Sequence, residues 1–436
     1  MGDNKFFKNV SWLVGGKIVN MILQFVVSLA TARYLGPSNF GTINYVAAFV
    51  SFFSSIASLG LSVIVIKEIA GGAKNRNEII WTSIMLRLFT AIFSTISILG
   101  LMYIMHGNEE DILIIAFLES LSIIFSSFDT INYYFQARLM SKWTAIAGVL
   151  AYMGMSLYRI YLLAVEADVV WFALASSADM IFLTIFLMIF YIRQEGFRIQ
   201  FNILLGKSLI KQSYHYMIAG LIAIIYAQID RVMLGNMVSK HSVGLYSAAL
   251  TISALWSMIP TAINQSICPV LYKAAKENKD LYYRRLSQAY AVLFWLNASY
   301  SIFCTIFSKF IINILYGAEY IEAAGVLSIV VWYYGISTMS TLHQVYLANE
   351  NISKYINVWC AVGLGVDVIL NICLIPLCGI VGAGIATLIT QLVIQILLPL
   401  LTPQTRPLGR VIWRGISLRG VFEKEDFKIF LNLIKK

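Results

Sequence analysis

The feature that most constrains this chain is a succession of long apolar runs that fill most of its 436 residues. A membrane-spanning helix needs about 20 mostly apolar residues, because each residue advances the helix by about 1.5 Å. Hydrophobic residues make up 59% of the chain and charged residues only 12%, with a mean hydropathy of +0.77. Ordinary globular proteins are about 45–50% apolar and 25% charged. The chain is therefore predicted to be an integral membrane protein.

Each apolar run that is long enough to cross a bilayer predicts one transmembrane helix. The runs are long and the intervening loops short, so an all-α polytopic membrane protein is expected. The twelve predicted spans lie at about residues 10–35, 41–66, 79–105, 112–136, 144–165, 169–192, 214–237, 243–268, 287–308, 321–348, 355–375 and 380–401.

Lysine and arginine residues fall almost entirely in alternate loops. Of the 32, the N-terminus, the even-numbered loops and the C-terminal tail hold 25, four lie within spans, and the odd-numbered loops hold three when Arg33, at the very end of the first run, is counted with the loop that follows it. The positive-inside rule then places both termini in the cytoplasm. The net charge of +10 is thereby explained by orientation in the membrane. No nucleic-acid partner is expected, because that would require a soluble basic face.

The ends and loops of the chain carry few signals for other chemistry. Residues 406–436 are basic with interspersed aromatic and aliphatic residues, which predicts an amphipathic cytoplasmic tail that contacts membrane lipids. The five cysteines have no CxxC spacing or accompanying histidine cluster, so no metal site or cofactor is predicted. No nucleophile triad or phosphate-binding loop is found, and catalytic residues are not expected.

Two segments of the chain resemble each other and suggest an internal duplication. Residues 32–48 and residues 230–249 share an arginine, a Leu-Gly turn, a later glycine, and a tyrosine that is followed by paired alanines. Transporters are often built from duplicated halves with the binding site between them. We therefore predict an N-terminal six-helix bundle at 1–200, a C-terminal six-helix bundle at 201–405, and the tail at 406–436.

A set of short motifs along nearly the whole chain resembles one transporter family. The motifs are LGPSNFG at 35–41, YFQA at 134–137, DRVMLG at 230–235, GLYSAA at 244–249, NICLIP at 371–376 and GAGIAT at 382–387. Together they resemble the polysaccharide-repeat-unit flippases of the multidrug/oligosaccharidyl-lipid/polysaccharide exporter superfamily. The chain departs from the family pattern at Gly384, where alanine is expected, and in the cysteines that flank Pro376.

That resemblance implies two pseudo-symmetric six-helix bundles around a central cavity that opens alternately to each side. The implied substrate is an undecaprenyl-pyrophosphate-linked oligosaccharide, moved from the inner to the outer leaflet of a bacterial plasma membrane. Implied partners are a polysaccharide polymerase and a chain-length regulator.

Charged residues buried in the membrane are costly and mark candidate functional sites. A pyrophosphate-linked glycan would need cations in the cavity to offset its negative charge. The predicted substrate-binding cations are Lys17, Arg33, Arg87, Arg159 and Arg231. The predicted ion-coupling residues are Asp129, Asp179, Asp230 and Asp367. The competing interpretation is a structural role: an ion pair or hydrogen bond between helices, or, for Lys17 and Arg87, a long side chain that reaches back to the membrane surface.

Asp230 and Arg231 place two adjacent charges in an apolar run. Neighbouring helical residues point about 100° apart, so the two side chains do not face each other. Each is expected to find a partner elsewhere.

Three other functions are weighed against the flippase. A cation-coupled multidrug exporter of the same superfamily would show the same spans, and a lipid-II-type flippase is expected to carry two further spans. A membrane-embedded glycan polymerase or ligase belongs to a different class, and it would need a long outward loop with catalytic residues. The outward loops of this chain are all short.

Overall fold

A computed structural model describes residues 20–72, 75–107 and 109–418, together with the helical backbone of residues 2–19. Within these ranges every regular element is a helix, which confirms the predicted all-α class. The chain divides into two compact units, Met1–Gly244 and Leu245–Lys436.

The first unit contains eight α-helices and one 3₁₀ turn, and a ninth helix begins at its end. Their bounds are α1 Gly2–Ala57, α2 Leu61–Ala70, α3 Arg76–His106, α4 Glu110–Ser126, the 3₁₀ turn Ser127–Asp129, α5 Thr130–Ala137, α6 Ser141–Ala164, α7 Val169–Glu195, α8 Ile203–Met237 and α9 Lys240–Trp256.

The second unit continues α9 and is built from long helices with short breaks. Its remaining elements are α10 Met258–Glu277, α11 Lys279–Tyr316, the 3₁₀ turn Ala318–Tyr320, α12 Ala323–Ser337, α13 Ser340–Asn349, α14 Lys354–Leu392, the π-helical turn Val393–Leu397, α15 Leu398–Leu401, the 3₁₀ turn Pro403–Thr405 and α16 Arg406–Ser417.

Ten continuous helical segments in the described residues are long and apolar enough to cross a membrane. Two of them contain a sharp backbone break at a glycine. Gly36 in α1 has φ 69° and is followed by Pro37, and Gly379 in α14 has φ 56°. Glycine adopts positive φ without the steric cost that a Cβ brings, and proline cannot continue the helical hydrogen bonding. Dividing both segments at these breaks yields the twelve predicted spans.

The boundary between the compact units lies at Gly244, whereas the sequence predicts bundles that divide near residue 200. Helix α8 packs against α1 and α2, so it belongs to the first unit by contact. The division into two six-helix bundles stays a prediction.

Helix α16 is the described part of the predicted tail, and it is amphipathic. Leu408, Val411 and Ile412 are buried, and the helix packs against α11. Arg410 and Arg414 are exposed on the opposite face. Residues 419–436 lie outside the described part of the chain.

Candidate functional site

The two similar sequence segments meet in the structure at two glycines. A Cβ on Gly41 would lie 1.8 Å from the carbonyl oxygen of Lys240 and 2.8 Å from the backbone nitrogen of Gly244. A Cβ on Gly244 would lie 2.0 Å from the carbonyl oxygen of Pro37. The backbones of α1 and α9 therefore touch at a distance that only glycine permits.

A buried tyrosine extends this contact with hydrogen bonds. Tyr45 is fully buried, and its hydroxyl group donates to Oδ1 of Asn236 at 2.8 Å and lies 3.1 Å from Nε2 of His106. A Cβ on Gly235 would lie 2.2 Å from the Tyr45 ring. Nζ of Lys240 is 5.8 Å from the centre of the same ring. Helices α1, α3, α8 and α9 thus converge on one side chain.

Arg87 is placed in a buried polar cluster of the first unit. Arg87 is only 5% exposed, and its Nη1 donates a hydrogen bond to Oγ1 of Thr130 at 3.0 Å. The guanidinium group lies 5.9 Å from the centre of the Tyr133 ring and within electrostatic range of Asp129. The structure therefore brings together one predicted substrate-binding cation and one predicted ion-coupling carboxylate.

Arg159 lies in a second cluster, where it faces two carboxylates. The guanidinium group on α6 interacts electrostatically with Glu119 on α4 and with Asp179 on α7. The hydroxyl group of Tyr152 lies beside the same guanidinium group. The structure thus brings Arg159 near Asp179, and near Glu119, which is not among the predicted site residues.

Asp230 and Arg231 differ in their surroundings, as the helical geometry predicts. Asp230 is 7% exposed, whereas Arg231 is half-buried. Nη1 of Arg231 donates to Oε1 of Gln228 at 2.6 Å on the same helix. The two side chains therefore occupy different faces of α8.

Asp367 forms a buried polar pair with Asn371 in the second unit. Its residue has no exposed surface, and Oδ2 accepts a hydrogen bond from Nδ2 of Asn371 at 3.2 Å. On the helical segment that follows the break at Gly379, Thr387 and Gln391 are also buried. Asn371 lies four residues after Asp367, and this helical spacing was a sequence signal that could have identified it.

The other predicted site residues lie outside these clusters. Arg33 is exposed near the glycine break of α1. The side chain of Lys17 lies outside the described part of the chain. His343 is not among the predicted site residues; it is buried, with Nδ1 at 2.7 Å from the carbonyl oxygen of Met339 and Nε2 at 3.0 Å from that of Gln395. These contacts assign His343 a structural role in the second unit.

Two curated proteins are similar in sequence to this chain. The "Putative O-antigen transporter" of Escherichia coli (strain K12) is 22% identical over 407 residues, which cover 90% of this chain and 95% of that protein. The "Probable flippase AglR" of Haloferax volcanii is 29% identical over 175 residues. That second match spans 38% of this chain and 36% of the relative.

A solved structure has the same fold. The structure described as "Lipid II flippase MurJ, inward closed conformation" superposes with a TM-score of 0.70 at 15% identity, covering 97% of this chain and 96% of the other.

A family profile also matches the chain across the first unit and into the second. The family is described as "Polysaccharide biosynthesis protein", and the match covers residues 6–275. That is more than half of the 436 residues. The chain therefore belongs to the polysaccharide biosynthesis protein family.

Proposed function

We propose that this protein is a flippase that moves a lipid-linked oligosaccharide repeat unit from the inner to the outer leaflet of a bacterial plasma membrane. The proposed substrate carries an undecaprenyl-pyrophosphate anchor. The positive-inside pattern supports a topology with both termini in the cytoplasm.

The observation that carries this proposal is the similarity along nearly the whole chain to an O-antigen transporter. The family match over residues 6–275 supports the same pathway. A transporter that handles a pyrophosphate also needs membrane-embedded cations, and Arg87, Arg159 and Arg231 supply them within predicted spans.

Movement of a large polar group across the membrane is proposed to occur by alternating access. The contact between Gly41 and Gly244 joins the two repeat-related segments at backbone distance. No side chain stands between the two backbones at these glycines, so the contact is a suitable place for separation during a transport cycle. We propose that it opens and closes once in each cycle.

Coupling to an ion gradient would supply the energy for this cycle. Asp367 is a buried carboxylate with Asn371 beside it, and Thr387 lies buried on the same helix beyond the break. Carboxylate, amide and hydroxyl oxygens suit a small hard cation. We propose that this group contributes to ion coupling in the second unit.

The test is deletion of the gene in its host, followed by complementation. The expected result is loss of surface polysaccharide, with lipid-linked repeat units accumulating on the cytoplasmic leaflet. Complementation with the wild-type gene restores export, whereas an Arg231→Ala variant at equal membrane abundance reduces it.

Two outcomes would assign a different function. Normal surface polysaccharide together with a loss of drug resistance identifies a multidrug exporter. Repeat units that reach the outer leaflet but remain unpolymerised identify a membrane-embedded polymerase.

A further inference from the structure

One guanidinium group lies in electrostatic range of two carboxylates, and the three residues belong to three helices of the first unit. Helices α4 and α7 approach closely, because the hydroxyl group of Ser177 donates to the backbone carbonyl oxygens of Leu118 and Glu119, the latter at 3.3 Å. Helix α6 packs against α7 and carries Arg159 toward the same place. Glu119, Asp179 and Arg159 consequently form one cluster, called here the carboxylate–arginine cluster.

Glu119 is the most enclosed member of the cluster. Its residue is 3% exposed, whereas Asp179 and Arg159 are half-buried. The hydroxyl group of Ser176 approaches the Glu119 carboxyl group. Oε1 of Glu119 is nevertheless shielded from solvent and has no hydrogen-bond partner among the described residues. An ionised oxygen in this position would lose its hydrogen bonds to water and gain none from the protein, which costs free energy.

The charges of the cluster do not balance when both carboxyl groups are ionised. Two carboxylates and one guanidinium group leave a net charge of −1 within the membrane-spanning part of the unit. Among the described residues, Arg159 is the charged group in electrostatic range of Glu119 and of Asp179.

The other charged residues on the packed helices have different positions. On α3, Arg87 is held by Thr130 and faces Asp129. The terminal turns of α3 also carry charged residues, namely Arg76, Glu78 and His106. In α1, from residue 20 onward, the charged residue is the exposed Arg33. The remaining charged residues of the packed helices lie near helix ends: Glu110 and Asp111 on α4, Lys142 on α6, and Arg193 and Glu195 on α7.

We propose that the carboxylate–arginine cluster is a proton-binding site, and that Glu119 is the residue that holds the proton. A proton from water adds to a carboxylate oxygen of Glu119, and the cluster becomes neutral while the Arg159 guanidinium group stays in electrostatic range of Asp179. Loss of that proton makes Glu119 compete with Asp179 for Arg159, which changes the pairing between α6 and its two neighbours. The coupling role rests on the proposed transport function, whereas the proton site itself does not.

A proton is favoured over a metal cation by the few oxygen atoms at the site. A sodium-like ion prefers several oxygen ligands, in the way that calcium takes six to eight. The cluster offers two carboxyl groups that face the Arg159 guanidinium group, whose positive charge repels a further cation, and the neutral hydroxyl groups of Ser176 and Tyr152. Protonation neutralises Glu119 without a coordination shell.

The binding test is infrared difference spectroscopy of the purified full chain in lipid vesicles, titrated with pH. The wild-type protein is expected to show the carbonyl band of a protonated carboxylic acid, and the Glu119→Gln variant to lose it. The control Asp111→Asn alters an exposed carboxylate in the first turn of α4 and is expected to retain the band. Thermal unfolding of each variant establishes that it is folded.

Removal of the cation provides a second, independent measurement. In an Arg159→Gln variant both carboxyl groups lack a counter-charge, so the protonated-acid signal is expected to become roughly twice as large. A titrating band that persists unchanged in Glu119→Gln overturns the proposal. A band that sodium ions remove at constant pH, and that depends on Glu119, also overturns it in favour of a sodium site.

A cellular measurement separates this inference from the proposed function. The Glu119→Gln variant at normal membrane abundance is expected to restore less than about one tenth of surface polysaccharide in the deletion strain, because a fixed neutral side chain cannot release a proton. Full restoration refutes coupling through Glu119 even when flippase activity is confirmed. If the deletion strain exports normally, the flippase function fails, while the infrared result still decides the proton site.

Discussion

At the scale of single residues, three glycines lie where no larger side chain fits without displacing a neighbouring segment. Gly41, Gly235 and Gly244 each occupy a position where a Cβ would come within 2.8 Å of another chain segment. At Gly41 and Gly244 the nearest atoms are backbone oxygens, which cannot move aside as a flexible side chain can. These positions are therefore the most restrictive points of the contact between the repeat-related segments.

Substitution of Gly41 tests the importance of this contact. Gly41→Ala is expected to reduce the free energy of unfolding by about 1–3 kcal/mol, because the added methyl group overpacks the contact with Lys240. The measurement is the thermal unfolding midpoint of the protein in detergent. Gly100→Ala is the matched control, since a Cβ there has no neighbour within 4 Å. Equal midpoints for both variants would contradict the prediction.

Arg87 provides a test of the buried polar cluster. Arg87→Ala leaves Asp129 without its facing cation and is expected to destabilise the unit by about 3–5 kcal/mol. Adding Asp129→Asn to Arg87→Ala is expected to recover part of this loss, because the remaining carboxylate charge is removed. Unfolding in denaturant measures all three variants.

An exposed lysine supplies the control for Arg87. Lys273 has a side chain that is 79% exposed and pairs with Glu277 on its own helix, so Lys273→Ala is expected to change stability by less than about 0.5 kcal/mol. A double variant no more stable than Arg87→Ala would argue against a charge effect at Asp129.

At the scale of elements, α16 illustrates how a basic amphipathic helix is held against a long helix. Gly415 allows the close approach, since a Cβ there would lie 2.8 Å from the carbonyl oxygen of Ser287 and 2.8 Å from Cβ of Tyr290. Nε1 of Trp295 also donates to the carbonyl oxygen of Ile416 at 3.1 Å. The helix is therefore fixed by its buried face while its arginines remain exposed.

A pair of leucine substitutions tests the docking of α16. Gly415→Leu is expected to displace the helix from α11, lower the unfolding midpoint and increase protease cleavage between α15 and α16. Arg414→Leu changes the neighbouring exposed residue and is expected to leave both measurements near the wild-type values. Similar cleavage rates for the two variants would mean that the Gly415 contact does not hold the helix.

At the scale of the whole molecule, two divisions of the chain have different physical origins. The compact units separate at Gly244, inside α9. The sequence-based halves separate near residue 200, in the connection between α7 and α8. A break in that connection leaves every helix intact, whereas a break after Gly244 interrupts the hydrogen bonding of α9.

Co-expression of fragments tests which division the chain tolerates. Fragments 1–200 and 201–436 are expected to reassemble in the membrane, because α8 can pack again on α1 and α2. Fragments 1–244 and 245–436 are expected to assemble poorly. Co-purification through a tag on one fragment measures assembly without relying on transport. Equal recovery of both pairs would refute the prediction.

Much of the fold follows from apolar length and from glycine and proline positions. The runs of about 20 apolar residues located the helices, and Gly36-Pro37 separated the first two spans at the observed break. The sequence also predicted that Asp230 and Arg231 do not face each other, and the hydrogen bond shown for Arg231 goes to Gln228 on its own helix. It could not identify the partners of embedded charges, because residues far apart in the chain meet only when the helices pack.

The amino-acid sequence alone determined that this is an all-helical membrane protein with twelve spans, because the bilayer imposes the length and polarity of each helix. It also selected which charges are costly in the membrane, since that cost depends on residue type and depth. Only the tertiary structure decided that Arg159 is shared by Glu119 and Asp179, and that Gly41 touches Gly244. Those pairings depend on helix rotation and on which distant residues come together. Arg159 and Glu119 are 40 positions apart in the chain, and Gly41 and Gly244 are 203 positions apart. Neither is encoded in a local pattern.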